Sequence, residues 1–203
     1  EGEDLAHRLG RERRVKPEAL VGILDQVVNG LAEAHANGVV HRDLKPENIF
    51  IARTERGEVV KLLDFGACKV QGGPKLTTDL TAIGTPWYMS PEQAQGFDLD
   101  PRSDQFSLAV VLYEVLTGKL PFEGDNPTAA LWKIVEDPHE SARTLNPNLP
   151  AGVDALFDRA LAKLPDDRFG SILEFADEAK RVLEVVETLH PRPVQKDVAT
   201  SVI

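Results

Sequence analysis

His41-Arg42-Asp43-Leu44-Lys45-Pro46-Glu47-Asn48 decides the reading of this chain. Just after it, Ile49 to Ile51 and Val59 to Leu63 read as two short strands around a turn at Glu55-Arg56-Gly57. A loop followed by such a hairpin returns the chain beside itself, so Asp64 of Asp64-Phe65-Gly66 can face Asn48. A third motif, Ser90-Pro91-Glu92, comes later.

Outward from this stretch the chain reads as mostly helical. Gly2 to Arg14 is polar, with Leu5, Leu9 and Val15 spaced loosely like a short helix. Pro17 opens a long helix, at the one turn where a missing N–H costs nothing. Leu20, Ile23, Leu24, Val27, Val28 and Leu31 give it an apolar stripe, and Asn37-Gly38 closes it as a left-handed cap. Gln71 to Leu80, with Gly, Pro and Thr and no period, reads as a mobile loop. Phe106 to Leu116 is apolar almost all round and so predicts a helix buried on every side, capped by Ser103 or Asp104 and followed by Gly118. Asn126-Pro127 starts a further helix to about Val135. His139 to Pro150 reads as loop, Val153 to Leu164 as an amphipathic helix, and Ser171 to about Glu187 as the last one. No internal repeat is visible.

The 23 Lys and Arg against 33 Asp and Glu leave a net charge of −10. That argues against a nucleic-acid or anionic-membrane surface, which needs clustered basic residues. The single Cys68 cannot form an internal disulfide, which fits a reducing cytosol. No apolar run approaches the length of a membrane span and no signal peptide opens the chain, so the expected location is cytoplasmic, or the cytoplasmic face of a membrane for a longer parent. The chain starts at Glu1 and its only methionine is Met89, the pattern of a processed, trimmed or partial sequence.

The octapeptide, Asp64-Phe65-Gly66 and Ser90-Pro91-Glu92, in this order, resemble the signature of the protein kinases: catalytic loop, metal-binding Asp and the close of the activation segment. The resemblance runs from about Gly2 to about Leu183. Ser90-Pro91-Glu92-Gln93-Ala94 and the run from Ala160 to Phe169 resemble the bacterial, eukaryote-like (Hanks-type) serine/threonine kinases. In many of these a membrane span follows the kinase domain. The implied fold is α+β, mostly α: a kinase-like large helical C-terminal lobe with short β-hairpins, the small N-terminal lobe absent. The lobe is expected over 1–187, with 188–203 a flexible tail.

The resemblance implies roles residue by residue. Asp43 orients the acceptor hydroxyl and takes its proton, and Lys45 neutralises charge on the transferred phosphate. Asn48 and Asp64 are the implied ligands for Mg2+, with Mn2+ as a substitute, beside ATP. Thr85, in Gly84-Thr85-Pro86-Trp87-Tyr88-Met89, would bond Asp43 and Lys45, and this loop together with Leu-Lys-Pro-Glu-Asn points to Ser/Thr substrates. Arg42 would pair with a phosphothreonine at Thr77, Thr78 or Thr81. His41 and Phe65 are implied packing supports, Glu92 and Arg168 a buried ion pair, and Asp104 a holder of the catalytic-loop backbone. Phe50 has two open readings, floor of the adenine site or plain core. Asp4 would touch the ribose, Cys68 is a small apolar filler, and Glu47 reads as a basic-residue contact or as a surface charge.

No Gly-rich loop and no strand Lys lie upstream of His41, so the chain resembles the large lobe alone, holding half a nucleotide site. Its expected partners are Ser/Thr proteins and a small lobe of the same kinase domain. Two functions lead: a serine/threonine kinase whose isolated fragment is nearly inactive, or a truncated, non-catalytic lobe that binds proteins; a metabolic small-molecule kinase is a weaker third, since the peptide-positioning loop would then be unused.

Overall fold

The computed structural model describes residues 1–12, 17–55, 57–65 and 86–189, and for 17–19 and 184–189 the backbone only. The expected mobile loop, the tail beyond Leu189, Cys68, Thr77, Thr78, Thr81 and Thr85 lie outside the described residues.

The chain opens with a strand that the sequence did not announce, β1 (Gly2–Asp4), followed by α1 (Leu5–Glu12). The Asp4 carboxylate caps α1, accepting from the backbone N–H of His7 at 2.8 Å. The long helix α2 (Pro17–Ala36) ends at Gly38, whose φ of 74° suits a residue without a Cβ. After a 3-10 turn at Pro46–Asn48 come β2 (Ile49–Thr54) and β3 (Gly57–Leu62). The three strands form one antiparallel sheet in the order β1-β2-β3, with Asp4 opposite Phe50 and Ile51 opposite Val60. The hairpin is longer than the apolar runs indicated, because pairing continues through Thr54 and Gly57. A clasp binds α1 to the sheet: Arg8, buried, donates to Glu58 at 2.6 and 2.9 Å and to Glu3 at 3.2 Å.

The helical part is built round α4 (Pro101–Thr117). From Ser103 to Thr117 every residue except Glu114 is buried. Each fully buried Leu, Val or Phe there contributes roughly 1.5–3 kcal/mol. The start of α4 corrects the expectation of a Ser103 or Asp104 cap. Asp100 is the cap, accepting from Arg102 N–H at 2.7 Å, and Pro101 takes the first helical position. Ser103 and Asp104 are instead engaged with other parts of the molecule. A short α3 (Pro91–Gln95) precedes α4, and α5 (Pro127–Glu136) follows it from an Asn126 cap.

Two further readings are corrected. The stretch expected as loop contains α6 (Ala142–Leu145), capped by Ser141. The helix expected to reach Leu164 is α7 (Val153–Ala160). Beyond its end, Arg168 takes the carbonyls of Ala162 and Lys163 at 2.8 and 3.0 Å. The last helix, α8 (Ile172–Leu189), packs on α2, α4 and α7. Among the described residues no helix is long and apolar enough to cross a membrane.

Gly124 shows how closely the parts meet. A Cβ built there would lie 2.7 Å from the carbonyl carbon of Ala129 and 2.9 Å from Cα of Ala130, both backbone that cannot swing aside. Gly124→Ala is therefore expected to lower stability by about 1–3 kcal/mol, read as a lower urea midpoint with an unchanged slope.

Candidate active site

The octapeptide is hung from the start of α4. The Asp104 carboxylate is 1% exposed and accepts from the backbone N–H groups of His41 at 2.8 Å and Arg42 at 2.9 Å. Nε2 of His35, at the end of α2, lies 2.7 Å from the same carboxylate. Three groups from one short stretch, residues 35–42, thus converge on a buried side chain more than 60 residues further on. They hold Arg42 at a φ of 70°, a left-handed conformation costing roughly 1–3 kcal/mol outside glycine.

The His41 ring is fully buried. Its Nδ1 accepts from the Asp43 backbone N–H at 3.3 Å, so the proton sits on Nε2 and is donated to the Leu63 carbonyl at 2.9 Å. His41 thereby ties the loop to the end of β3, and the Phe65 ring lies 4.6 Å from it by centroid. Phe65 is 40% exposed, so this packing is one-sided.

Asp43, Lys45 and Asn48 form one polar cluster. Lys45 Nζ is 2.9 Å from Asp43 Oδ2. Asn48 Nδ2 donates to the Asp43 backbone carbonyl at 2.7 Å and to Oδ2 at 3.1 Å. These bonds fix the Asn48 amide and leave Oδ1 as its donor atom for a cation. Asp64 is brought in by the backbone, since the N–H of its neighbour Leu63 donates to the Asn48 carbonyl at 2.9 Å. Asp64 itself has a φ of 58°, a second non-glycine residue in the left-handed region. An amide oxygen and a carboxylate are hard donors, and magnesium takes such a sparse set, filling its remaining positions with water and phosphate oxygens.

Phe50 and Asp4, assigned to the nucleotide from the resemblance, are cross-strand partners at one end of the sheet. The Phe50 ring is half-buried against Gly2, where a Cβ would come within 2.8 Å of Cε1. The Asp4 carboxylate is engaged with His7, through its N–H and its Nδ1 at 2.7 Å.

Glu92 of α3 and Arg168 meet as a bidentate pair, both bonds 2.8 Å. Arg168 gives its remaining N–H groups to the carbonyls of Ala162, Lys163 and Arg102, so all five donors are satisfied. Ser103 Oγ adds a 2.7 Å bond to Glu92. Burial alone would push the Glu92 carboxyl up, but the Arg168 bonds outweigh it and hold it below the usual carboxylate range.

A cleft of about 690 Å³ opens beside the octapeptide, lined by Leu9, Glu47, Tyr88, Glu114 and Lys119 among others. Tyr88 donates to Glu114 Oε2 at 2.7 Å. Burial pushes both the Glu114 carboxyl and the Tyr88 hydroxyl up. The sequence reading missed Glu114, His35 and Gln93. Gln93 alone carried a local signal, since Ser90 and Gln93 have the spacing of a capping box. The others act through contacts across long stretches of chain, which no local pattern reveals.

The fold is that of a protein kinase, and the family model for the protein kinase domain matches residues 1–188: the chain belongs to that family. Its relatives include serine/threonine-protein kinase pkn3 of Myxococcus xanthus, 42% identical over 188 residues, which cover 89% of this chain and 34% of the relative. Another is serine/threonine-protein kinase PknB of Mycobacterium tuberculosis, 40% identical over 183 residues, covering 88% of this chain and 28% of the relative. The chain therefore spans about a third of the length of these relatives. The crystal structure of the Mycobacterium tuberculosis PknI kinase domain superposes with a TM-score of 0.68 at 28% identity, over 89% of this chain and 62% of that one.

Proposed function

We propose that the chain is the catalytic and substrate-binding lobe of a serine/threonine protein kinase, which transfers the γ-phosphate of ATP to hydroxyls of proteins. The observation that carries this is the cluster of Asp43, Lys45 and Asn48, hydrogen-bonded to one another on a loop suspended from Asp104. Asp43 is half-exposed, open to an acceptor hydroxyl whose proton it takes. Lys45, fixed 2.9 Å away, sets a positive charge beside the group being transferred. Asn48 and Asp64 would hold Mg2+ or Mn2+, which neutralises charge on the nucleotide phosphates when bound. Thr85 and the three activation-segment threonines keep the roles that the resemblance implies.

The 203 residues contain no G-x-G-x-x-G. Val39, Val59, Leu63 and Phe65 are each about 40% exposed (38–43%), apolar groups in or beside the catalytic loop, β3 and the Asp64 turn that a second lobe would cover. Residues 1–187 alone are thus expected to position phosphates poorly and to transfer slowly. The test is phosphate transfer from Mg-ATP to a basic protein, with Asp43→Ala alongside, first by this chain and then by the chain joined to a nucleotide-binding lobe. Asp43-dependent transfer in the joined form supports the reading. Its absence there favours a non-catalytic, protein-binding lobe.

The cleft points to the substrate class. Glu47 and Glu114 set two acidic groups beside the catalytic loop, and a guanidinium would relieve the cost of ionising half-buried Glu114. The double variant Glu47→Gln, Glu114→Gln is expected to raise KM for an Arg-containing peptide about tenfold with kcat unchanged, the mark of lost uniform binding. An unchanged KM would remove the cleft from substrate recognition.

A further inference from the structure

Two neighbouring residues in the first turn of α3 face different parts of the molecule. Glu92 reaches Arg168, as described. Gln93 reaches the catalytic loop: its Nε2 donates to the Arg42 carbonyl at 2.7 Å, while its Oε1 accepts from the Ser90 backbone N–H at 3.0 Å and from Ser90 Oγ at 3.2 Å. The amide can lie only one way round. The Ser90 N–H can only donate and the Arg42 carbonyl can only accept, so the oxygen faces the helix start and the nitrogen faces the loop.

The Arg42 peptide is thereby gripped at both ends. Asp104 of α4 holds its N–H at 2.9 Å and Gln93 of α3 holds its carbonyl. Between the two grips sits the φ of 70°. A bulky residue stays in that region only where its surroundings over-determine it. The residue that follows is Asp43, whose direction depends on that dihedral. Releasing the carbonyl would let Arg42 relax toward negative φ and turn the Asp43 peptide with it.

We infer that Gln93 is a positioning residue for Asp43, its amide bridging the cap of α3 to the strained carbonyl of the catalytic loop. The hydrogen-bond bridge stands on the structure. Its consequence for catalysis rests on the kinase reading above.

Gln93→Glu separates the two ends of the bridge. Glutamate is itself a capping-box residue, so the contact to Ser90 and the start of α3 survive. It has no N–H for Arg42, however, and sets a carboxylate oxygen against a carbonyl oxygen. Ser90→Ala is the counterpart, removing the hydroxyl of the cap while the Nε2 donor stays. Amide hydrogen exchange on the 203-residue chain reads both. Gln93→Glu is expected to speed exchange across residues 41–44 about tenfold while α3 stays protected. Ser90→Ala is expected to speed exchange in α3 and leave 41–44 close to wild type. Unchanged exchange at 41–44 in Gln93→Glu, or equal loosening of that loop by both variants, overturns the bridge. In a phosphate-transferring kinase containing this chain, Gln93→Glu is expected to lower kcat about tenfold with KM for ATP unchanged. An unchanged kcat overturns the positioning role. A wild-type protein with no transfer at all defeats the kinase reading instead, and with it the positioning role, while the exchange result still decides the bridge.

Discussion

Arg168→Ala is expected to leave this chain largely unfolded at room temperature. Removing one partner of a buried, hydrogen-bonded pair costs about 3–5 kcal/mol, because the other charge is stranded. A domain of ordinary stability has only about 5–15 kcal/mol in all. Here the loss is compounded. The same side chain satisfies three carbonyls, of Ala162, Lys163 and Arg102, and its guanidinium carbon lies 4.9 Å from the Phe106 ring centroid in the core. Urea titration followed by far-UV circular dichroism measures the effect. A midpoint shift equivalent to less than about 1 kcal/mol, typical of an exposed pair, would show that Glu92 and Arg168 are not anchoring the fold. The pH dependence has a definite sign. The Glu92 carboxyl is held below its ordinary 4.5 in the folded state, so its contribution is fully present above that pH. It is lost as pH falls through the lower, folded-state value. Glu92→Gln should accordingly be less stable than wild type at neutral pH, and should lack this part of the acid-induced loss.

Asp43→Ala is expected to be the largest loss of activity from any single change. A positioned general base contributes about 10²–10⁴-fold, and the assembled kinase carrying this variant should lose transfer by that factor. Stability should scarcely move. The Asp43 side chain is 48% exposed, and its bond to Lys45 is an exposed ion pair of little net worth. Phosphate transfer measured with thermal melting on the same preparations separates the two effects. Transfer within about threefold of wild type would place the chemistry elsewhere, since that is far below what a general base supplies.

Most of the architecture could be read from the chain because its signals are local. Pro17, Asn126-Pro127 and Gly118 mark helix ends through backbone chemistry acting within a turn, and the apolar pattern of Phe106 to Leu116 records burial directly. The failures have a common physical cause. β1 is three residues long and exists only because β2 offers an edge to pair with, which Gly2 and Glu3 do not advertise. Ser103 and Asp104 resemble a helix cap, yet the same chemistry serves Glu92 and the catalytic loop, while Asp100 takes the cap. In the candidate site, the octapeptide and Asp64 were legible as a motif. His35, Gln93 and Glu114 were not, because each is defined by a partner between 26 and 69 residues away.

The burial of α4 reaches beyond stability. An ordinary surface helix keeps one side in water, and that side lets sequence drift without consequence. From Ser103 to Thr117 this one has only Glu114 short of full burial, and Glu114 lines the cleft. The segment therefore has no neutral side on which substitutions can accumulate. Change at its apolar positions is confined to exchanges that conserve volume, made in step with the neighbours that surround it, and its buried polar residues are held by their hydrogen bonds.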